Sequence, residues 1–181
     1  MDFFTQEHRN AREKYRTTDQ AEHLLNTIDT TCLNRELSSY LHEDVVAFIE
    51  RMPYFFFSTS SANGNSNVNF KGAEGSKLIK VLSDKKLIFP DYSGNGILHS
   101  VGDIGSNPNV GMLIIDFSRD VRLKINGKAT VIDNDEEISK YMDYFESYNI
   151  ARLIEVDIEY VIPNCSKNIS VVRNQILKMT T

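Results

Sequence analysis

Apolar and polar positions follow one another along this chain with a period that changes from segment to segment. Gln6 to Tyr15 and Asp19 to Ile28 read as helices. The second places Ala21, Leu24, Leu25 and Ile28 on one face, with Thr18 or Asp19 available as its cap. His42 to Met52 carries a denser apolar stripe (Val45, Val46, Phe48, Ile49, Met52) and is closed by Pro53. The pattern then switches to period two. Tyr54 to Ser60 is aromatic and β-branched. Asn63-Gly64 is a hairpin signal, and the return segment Asn67 to Lys71 alternates, with Val68 and Phe70 on one face and Asn67, Asn69 and Lys71 on the other. Lys77 to Leu82 and Lys86 to Phe89 are predicted as strands, the second breaking at Pro90.

Leu87 to Phe117 is the stretch around which the rest is arranged. A strand feeds the polar turn Asp91 to Gly96. A helix is predicted from about Ile97 to Ser106, Asn107-Pro108-Asn109 stops it, and a strand resumes over Val110 to Phe117. A glycine-bearing turn entering a helix can present backbone N–H groups and the positive end of a helix dipole to an anion. Gly94-Asn95-Gly96 is equally the composition of an ordinary turn, and neither a G-x-G-x-x-G nor a Walker-type glycine pattern is present.

Val121 to Ile132 is predicted as a strand with a bulge at Gly127. Asp133 to Tyr148 is predicted as a helix capped by Asn134 or Asp133, and Ile150 to Ile162 as a long alternating strand ended by Pro163. A short strand is predicted at Ile169 to Val172. These elements predict a mainly β fold with flanking helices, built on an antiparallel sheet of six or more strands that closes partly or fully into a barrel. Residues 1–38 read as a helical extension and 39–181 as the main body of a single domain.

Composition narrows the function classes. With 181 residues, 41% hydrophobic and 25% charged, the chain has the make-up of a globular domain. A formal net charge of −5 argues against general nucleic-acid binding, while leaving room for a phosphorylated small ligand. No stretch has the length of a membrane span. The N-terminus lacks the order of a secretory signal, and Cys32 and Cys165 form no disulfide framework, so a cytoplasmic protein is expected. The four histidines are scattered and predict no metal site. No Ser-His-Asp or Cys-His spacing nominates a catalytic residue. Lys71, where its strand leaves the sheet, suits either a phosphate contact or an ordinary solvent-facing lysine.

Four segments together resemble the pyridoxamine 5′-phosphate oxidase-like family of flavin-binding split β-barrels, over about Phe55 to Ile169. They are the first hairpin ending in Lys71-Gly72; Phe89-Pro90-Asp91-Tyr92-Ser93-Gly94-Asn95; Asn107-Pro108 followed by Val110 to Phe117; and Asn164-Cys165-Ser166-Lys167-Asn168-Ile169. The likeness is to a subgroup other than the true pyridoxamine phosphate oxidases. It implies a homodimer with FMN (or FAD or another flavin-like cofactor) between subunits, and an oxidoreductase acting on a small molecule. The alternative is a non-catalytic flavin-binding or cofactor-free dimeric barrel. By the same resemblance, Lys71 would reach the flavin phosphate or its pyrimidine edge, Asn69 and Phe70 would lie along the cofactor, and Pro90, Asp91 and Tyr92 would line its ring system, in part through backbone groups. Ser93, Gly94 and Asn95 would approach its phosphate, and Asn164, Cys165 and Lys167 would come from the tail. Ser66 and Gly96 stand where such relatives often carry cations, with Lys77 or His99 as substitutes. Ser166 and Asn168 depart from the tail pattern.

Overall fold

The computed structural model describes residues 4–26, 40–73, 77–94, 96–146, 149–164 and 168–179. Two helices, α1 (Gln6–Lys14) and α2 (Thr18–Asn26), pack on each other at the N-terminus, and α1 buries none of its residues. Helix α3 (Glu43–Glu50) follows and buries Val45, Phe48 and Ile49.

The first hairpin joins β1 (Tyr54–Ser60) to β2 (Ser66–Gly72). Its turn is wider than two residues: Ser61 N–H donates to Asn65 O, Gly64 N–H donates to Ser61 O, and Gly64 takes a φ of +80° that favours glycine. The remaining strands are β3 (Lys80–Ser83), β4 (Lys86–Tyr92), β5 (Asn109–Asp116), β6 (Val121–Ile132) and β7 (Ile150–Asn164), with α4 (His99–Ser106) between β4 and β5. All seven strands form one antiparallel sheet in the order β2-β1-β5-β6-β7-β4-β3.

That sheet is strongly curled. Strands β1 and β4 are four places apart in the order, which in a flat sheet means about 19 Å. Yet the Phe89 ring of β4 meets Phe55 and Phe57 of β1 edge-on, with centroids 4.9 and 5.1 Å apart. The inner face of this split barrel is the main core: Phe55, Phe57, Leu87, Phe89, Ile114, Leu123, Ile125 and Val156 are fully buried, together with Phe48 and Ile49 of α3. A smaller cluster on the opposite face of β4 and β7 packs Ile88, Ile150 and Leu153 under Ile138 and Phe145. The register shifts at Asn126/Gly127, as the sequence predicts. A Cβ on Gly127 would overlap the Asp157 carbonyl, so this bulge requires glycine.

Four expectations are corrected. Strand β4 does not break at Pro90 but continues to Tyr92. Pro90 lies past the last β3 pairing, at Ile88, so on that side there is no ladder to interrupt. Strand β7 likewise passes through Pro163 to Asn164, beyond its last pairing with β4 at Asp157. The predicted helix from Asp133 to Tyr148 is two short helices, α5 (Asp135–Ser139) and α6 (Met142–Phe145). The interruption contains neither glycine nor proline, so packing of Ile138 and Phe145 sets it rather than helix propensity. Asn134 caps α5 as expected, accepting from the N–H groups of Glu136 and Glu137. Finally, Ile169 to Val172 is not a strand but the start of α7 (Ile169–Met179). Ile169 is buried, and Arg173, four residues on and so on the same face, donates to the carbonyls of Phe117 and Ser118 and pairs with Asp120.

Candidate functional site

Strand β2 is an edge strand whose polar side chains face inward. Its register sets Asn67 opposite Thr59, Asn69 opposite Phe57 and Lys71 opposite Phe55, all on the core side of β1. Val68 and Phe70 point outward and are 66% and 64% exposed. The alternation read from sequence is therefore observed, with the polar face lining the opening of the split barrel.

Helix α4 lies across this opening, packed on β1, β2 and β6. Leu98, just before it, has φ +52° and ψ +30°, a left-handed conformation that costs a non-glycine residue about 1 kcal/mol. Gly96 has φ +77°. Ser100 and Asp103, three residues apart on one face of α4, are buried. Ser100 Oγ accepts from Asn69 Nδ2 at 2.7 Å. Asp103 Oδ2 accepts the Thr59 hydroxyl at 2.6 Å, and Thr59 Oγ1 in turn accepts from Asn67 Nδ2 at 3.2 Å. These bonds attach the helix to the polar faces of β1 and β2.

Between β2, the end of β4 and the start of α4 is a hollow of about 480 Å³, within the size range of small-molecule sites. Asn69, Phe70, Lys71, Asp91, Tyr92 and Gly94 line it on the strand side, and Gly96 to Val101 line it on the helix side. Lys71 Nζ donates to Asp91 Oδ1 at 2.8 Å, and Arg152 of β7 donates to Asp91 Oδ2 at 3.1 Å. One carboxylate thus holds two cations in a half-buried setting. Burial pushes the Tyr92 hydroxyl up from its ordinary value, which keeps it a protonated donor at neutral pH.

Six of the residues singled out from sequence therefore converge on one hollow. Ser93 is exposed on the same turn and donates its N–H to Asn149 O. Pro90 is buried within β4 and is not part of the wall. Asn164 ends β7 with its backbone opposite Arg122, twelve residues from Arg152, or roughly 40 Å of strand. Asn95, Cys165 and Lys167 lie outside the described residues. Of the two substitute cations, His99 lines the hollow, whereas Lys77 pairs with Glu146 and sits over the Tyr144 ring. Sequence reasoning missed Arg152, Thr59, Ser100 and Asp103. A lone arginine in the apolar run Ile150 to Val156, and two polar residues on the buried face of α4, were the signals present.

The sequence profile of the family described as pyridoxamine 5′-phosphate oxidase matches residues 41–165, more than half of the chain. The chain belongs to the pyridoxamine 5′-phosphate oxidase family. Among curated proteins no sequence matches. Several solved structures share the fold of this family member. HupZ of Group A Streptococcus is 15% identical, covers 68% of this chain and 93% of its own, and superposes with a TM-score of 0.55; a single-residue variant of it gives 0.56, with 15% identity and coverage of 68% and 98%. A pyridoxamine 5′-phosphate oxidase-like protein of Lactobacillus delbrueckii is 21% identical, with coverage of 69% and 95% and a TM-score of 0.55. Among the described residues no helix is long and apolar enough to cross a membrane, and no cluster of His, Cys, Asp or Glu could hold a metal ion.

Proposed function

We propose that this family member is an FMN-dependent oxidoreductase acting on a small molecule, and that it works as a homodimer with the cofactor between subunits. The observation that carries this reading is the hollow itself, which gathers the β2 exit, the β4 exit and the start of α4 in one place. Its walls fit a flavin. Tyr92, Ile97, Leu98 and Val101 offer apolar surface to a ring system, and Asn69, Lys71 and Ser100 offer polar atoms to its edge. Bound FMN, or FAD or a related flavin, would supply hydride and electron transfer. Asn69 would be held in orientation by Ser100, Lys71 would set the charge beside the cofactor, and the apolar wall would exclude water. In this reading residues 39–181 carry the site and residues 1–38 are a helical extension.

The dimer is supported by the outer face of the first hairpin. Phe70 is exposed there, its ring stacked on Tyr54 and edge-on to Phe56, with Val68 beside it. Such an apolar patch is suited to a second copy. Phe70 also lines the hollow, so that copy would close the site, and the tail bearing Asn164, Cys165 and Lys167 would enter from the partner.

A second reading, a non-catalytic flavin-binding or cofactor-free dimeric barrel, is favoured by one observation. Lys71 is already paired with Asp91, which reduces the charge it can offer a ligand. Visible absorption of freshly purified protein, and of protein incubated with FMN and desalted, separates these readings. A retained flavin spectrum is expected, and turnover with small substrates then distinguishes an enzyme from a binding module. Colourless protein that fails to hold FMN would favour the cofactor-free barrel.

A further inference from the structure

Helix α7 carries apolar residues at the spacing of a helix that packs along a surface. Ile169, Val172, Ile176 and Leu177 fall at i, i+3, i+7 and i+8, and Met179 continues the stripe. Only the first turn is seated on the body of the molecule. Ile169 is 6% exposed, Val172 41%, Ile176 46% and Met179 85%. Arg173, within the same arc, is held on the carbonyls of Phe117 and Ser118 and beside Asp120 at the β5–β6 turn. Beyond that anchor, about two turns of apolar stripe stand in water. The helix begins past residue 165, where the match to the family profile ends.

One surface of the same chain matches this stripe. The outward positions of β1 and β2 hold Tyr54, Phe56, Val68 and Phe70, with serine or glycine at the others, and none is charged. Farther along the sheet, Arg122, Lys124 and Lys128 occupy the outward side of β6. Helix α7 contains Arg173 and Lys178 and no acidic residue, so β6 repels it and the hairpin face does not. The sizes agree as well. Eleven helical residues are about 16 Å long, and two paired strands of seven residues are about 23 Å long and 10 Å across. Both surfaces lie at one end of the sheet. The Tyr54 hydroxyl donates to Ile115 O, close to the turn that anchors α7, and the Tyr54 ring stacks on Phe70. Val68 and Phe70 are nevertheless exposed, so α7 does not cover the hairpin of its own chain.

Resting on the dimer and flavin reading above, we propose that α7 is an arm exchanged between two copies of this chain, each copy laying its apolar stripe on the outer face of the other's β1–β2 hairpin. The occupant is a second copy because both complementary surfaces belong to one chain, and a two-fold axis makes the contact twice. Pairing α7 with the partner's α7 instead would leave Val68 and Phe70 in water. Phe70 also borders the hollow, so the partner's α7 closes the rim of the site there. Ligand retention in one copy therefore depends on the last helix of the other.

The test places a photo-crosslinker in the full chain as Ile176→p-benzoylphenylalanine, mixes isotopically heavy and light copies, and maps the joined peptides by mass spectrometry. Mixed-isotope links from α7 to residues 54–72 are expected. Links within one copy, to the partner's α7 or to any other segment, or no links at all, overturn the proposal. A second measurement uses Val172→Glu combined with Ile176→Glu, both at exposed positions, so circular dichroism should be unchanged. Sedimentation should show the dimer dissociation constant raised about a hundredfold, and bound FMN should be lost faster. An unchanged dimer, or an unchanged rate of FMN loss from a weakened one, overturns the proposal. The two failures are separable. A wild-type dimer that holds FMN but links elsewhere overturns the arm and leaves the flavin reading standing. Links to the partner's hairpin in a protein that holds no flavin support the arm and overturn the flavin reading. A monomeric wild type overturns the arm and the dimer together.

Discussion

Lys71 Nζ and Asp91 Oδ1 stand 2.8 Å apart, although their strands are five places apart in the sheet order. In a flat sheet those strands would be about 24 Å apart. The contact exists because the sheet curls, and it brings a lysine from the first hairpin to the exit of β4. Both side chains are mostly buried, at 19% and 14% exposure, so the pair is less screened than a surface ion pair. Lys71→Ala is expected to weaken FMN binding by about tenfold while leaving the protein folded. Asp91→Asn is expected to tighten it by releasing the lysine. Equilibrium titration of each variant checks both, and unchanged affinity in Lys71→Ala would remove that residue from the site.

The exposed apolar face of the hairpin gives a second prediction. Val68 is 66% exposed and lies outside the wall of the hollow. Val68→Glu places a charge in the proposed interface without touching the core. Sedimentation should show wild-type dimer and a monomeric or strongly weakened variant, with circular dichroism unchanged. An unaltered dimer in the variant would place the interface elsewhere.

Asp116 links stability to pH. Burial alone pushes its carboxyl up, but the Ser118 hydroxyl, the N–H groups of Ser118 and Arg119, and the Arg51 guanidinium outweigh this and hold it below the usual carboxylate range. A carboxyl lower in the folded than in the unfolded chain stabilises the fold above its unfolded value and loses that contribution as pH falls through the folded one. The part of the acid-side loss due to Asp116 therefore begins as pH drops below about 4. Denaturant midpoints measured from pH 6 to pH 2 should fall less steeply in Asp116→Asn than in wild type. Equal slopes would show that this carboxyl is not the one that matters.

Gly127 is a steric requirement. Its missing Cβ is what lets the Asp157 carbonyl approach at the β6 bulge. Gly127→Ala must move backbone rather than a flexible side chain, and a loss of about 2 kcal/mol or more is expected in urea unfolding. A loss under about 0.5 kcal/mol, the range of neutral surface changes, would mean that the bulge relaxes freely.

Thr59 secures α4 over the hollow. Thr59→Val keeps the shape but removes the proton that Asp103 accepts, leaving a buried carboxylate oxygen short of a partner. A destabilisation of about 1–3 kcal/mol is expected in the same unfolding assay. Faster amide exchange in α4 than in β6 would show that the loss is local to the helix.

Much of this could be read along the chain because its causes are local. Period-two alternation determined β1, β2, β5 and β6 and the inward polar face of Asn67, Asn69 and Lys71. Glycine and asparagine marked the hairpin, the bulge at Gly127 and the cap at Asn134. The order of motifs was enough to point to the family. Boundaries at Pro90 and Pro163 were misplaced because a proline interrupts a strand only where a neighbour needs its N–H, and whether a neighbour is there depends on the sheet order. The run Ile169 to Val172 looked like a strand until Arg173 found its partners at the β5–β6 turn, a contact across more than fifty residues. Arg152 beside Asp91 and Asp103 beside Thr59 are of the same kind. Each joins residues that local pattern treats as unrelated. The sequence determined which faces were polar and where chains of backbone would turn; only closure of the sheet and the placement of α4 across its opening decided which of those polar faces would meet.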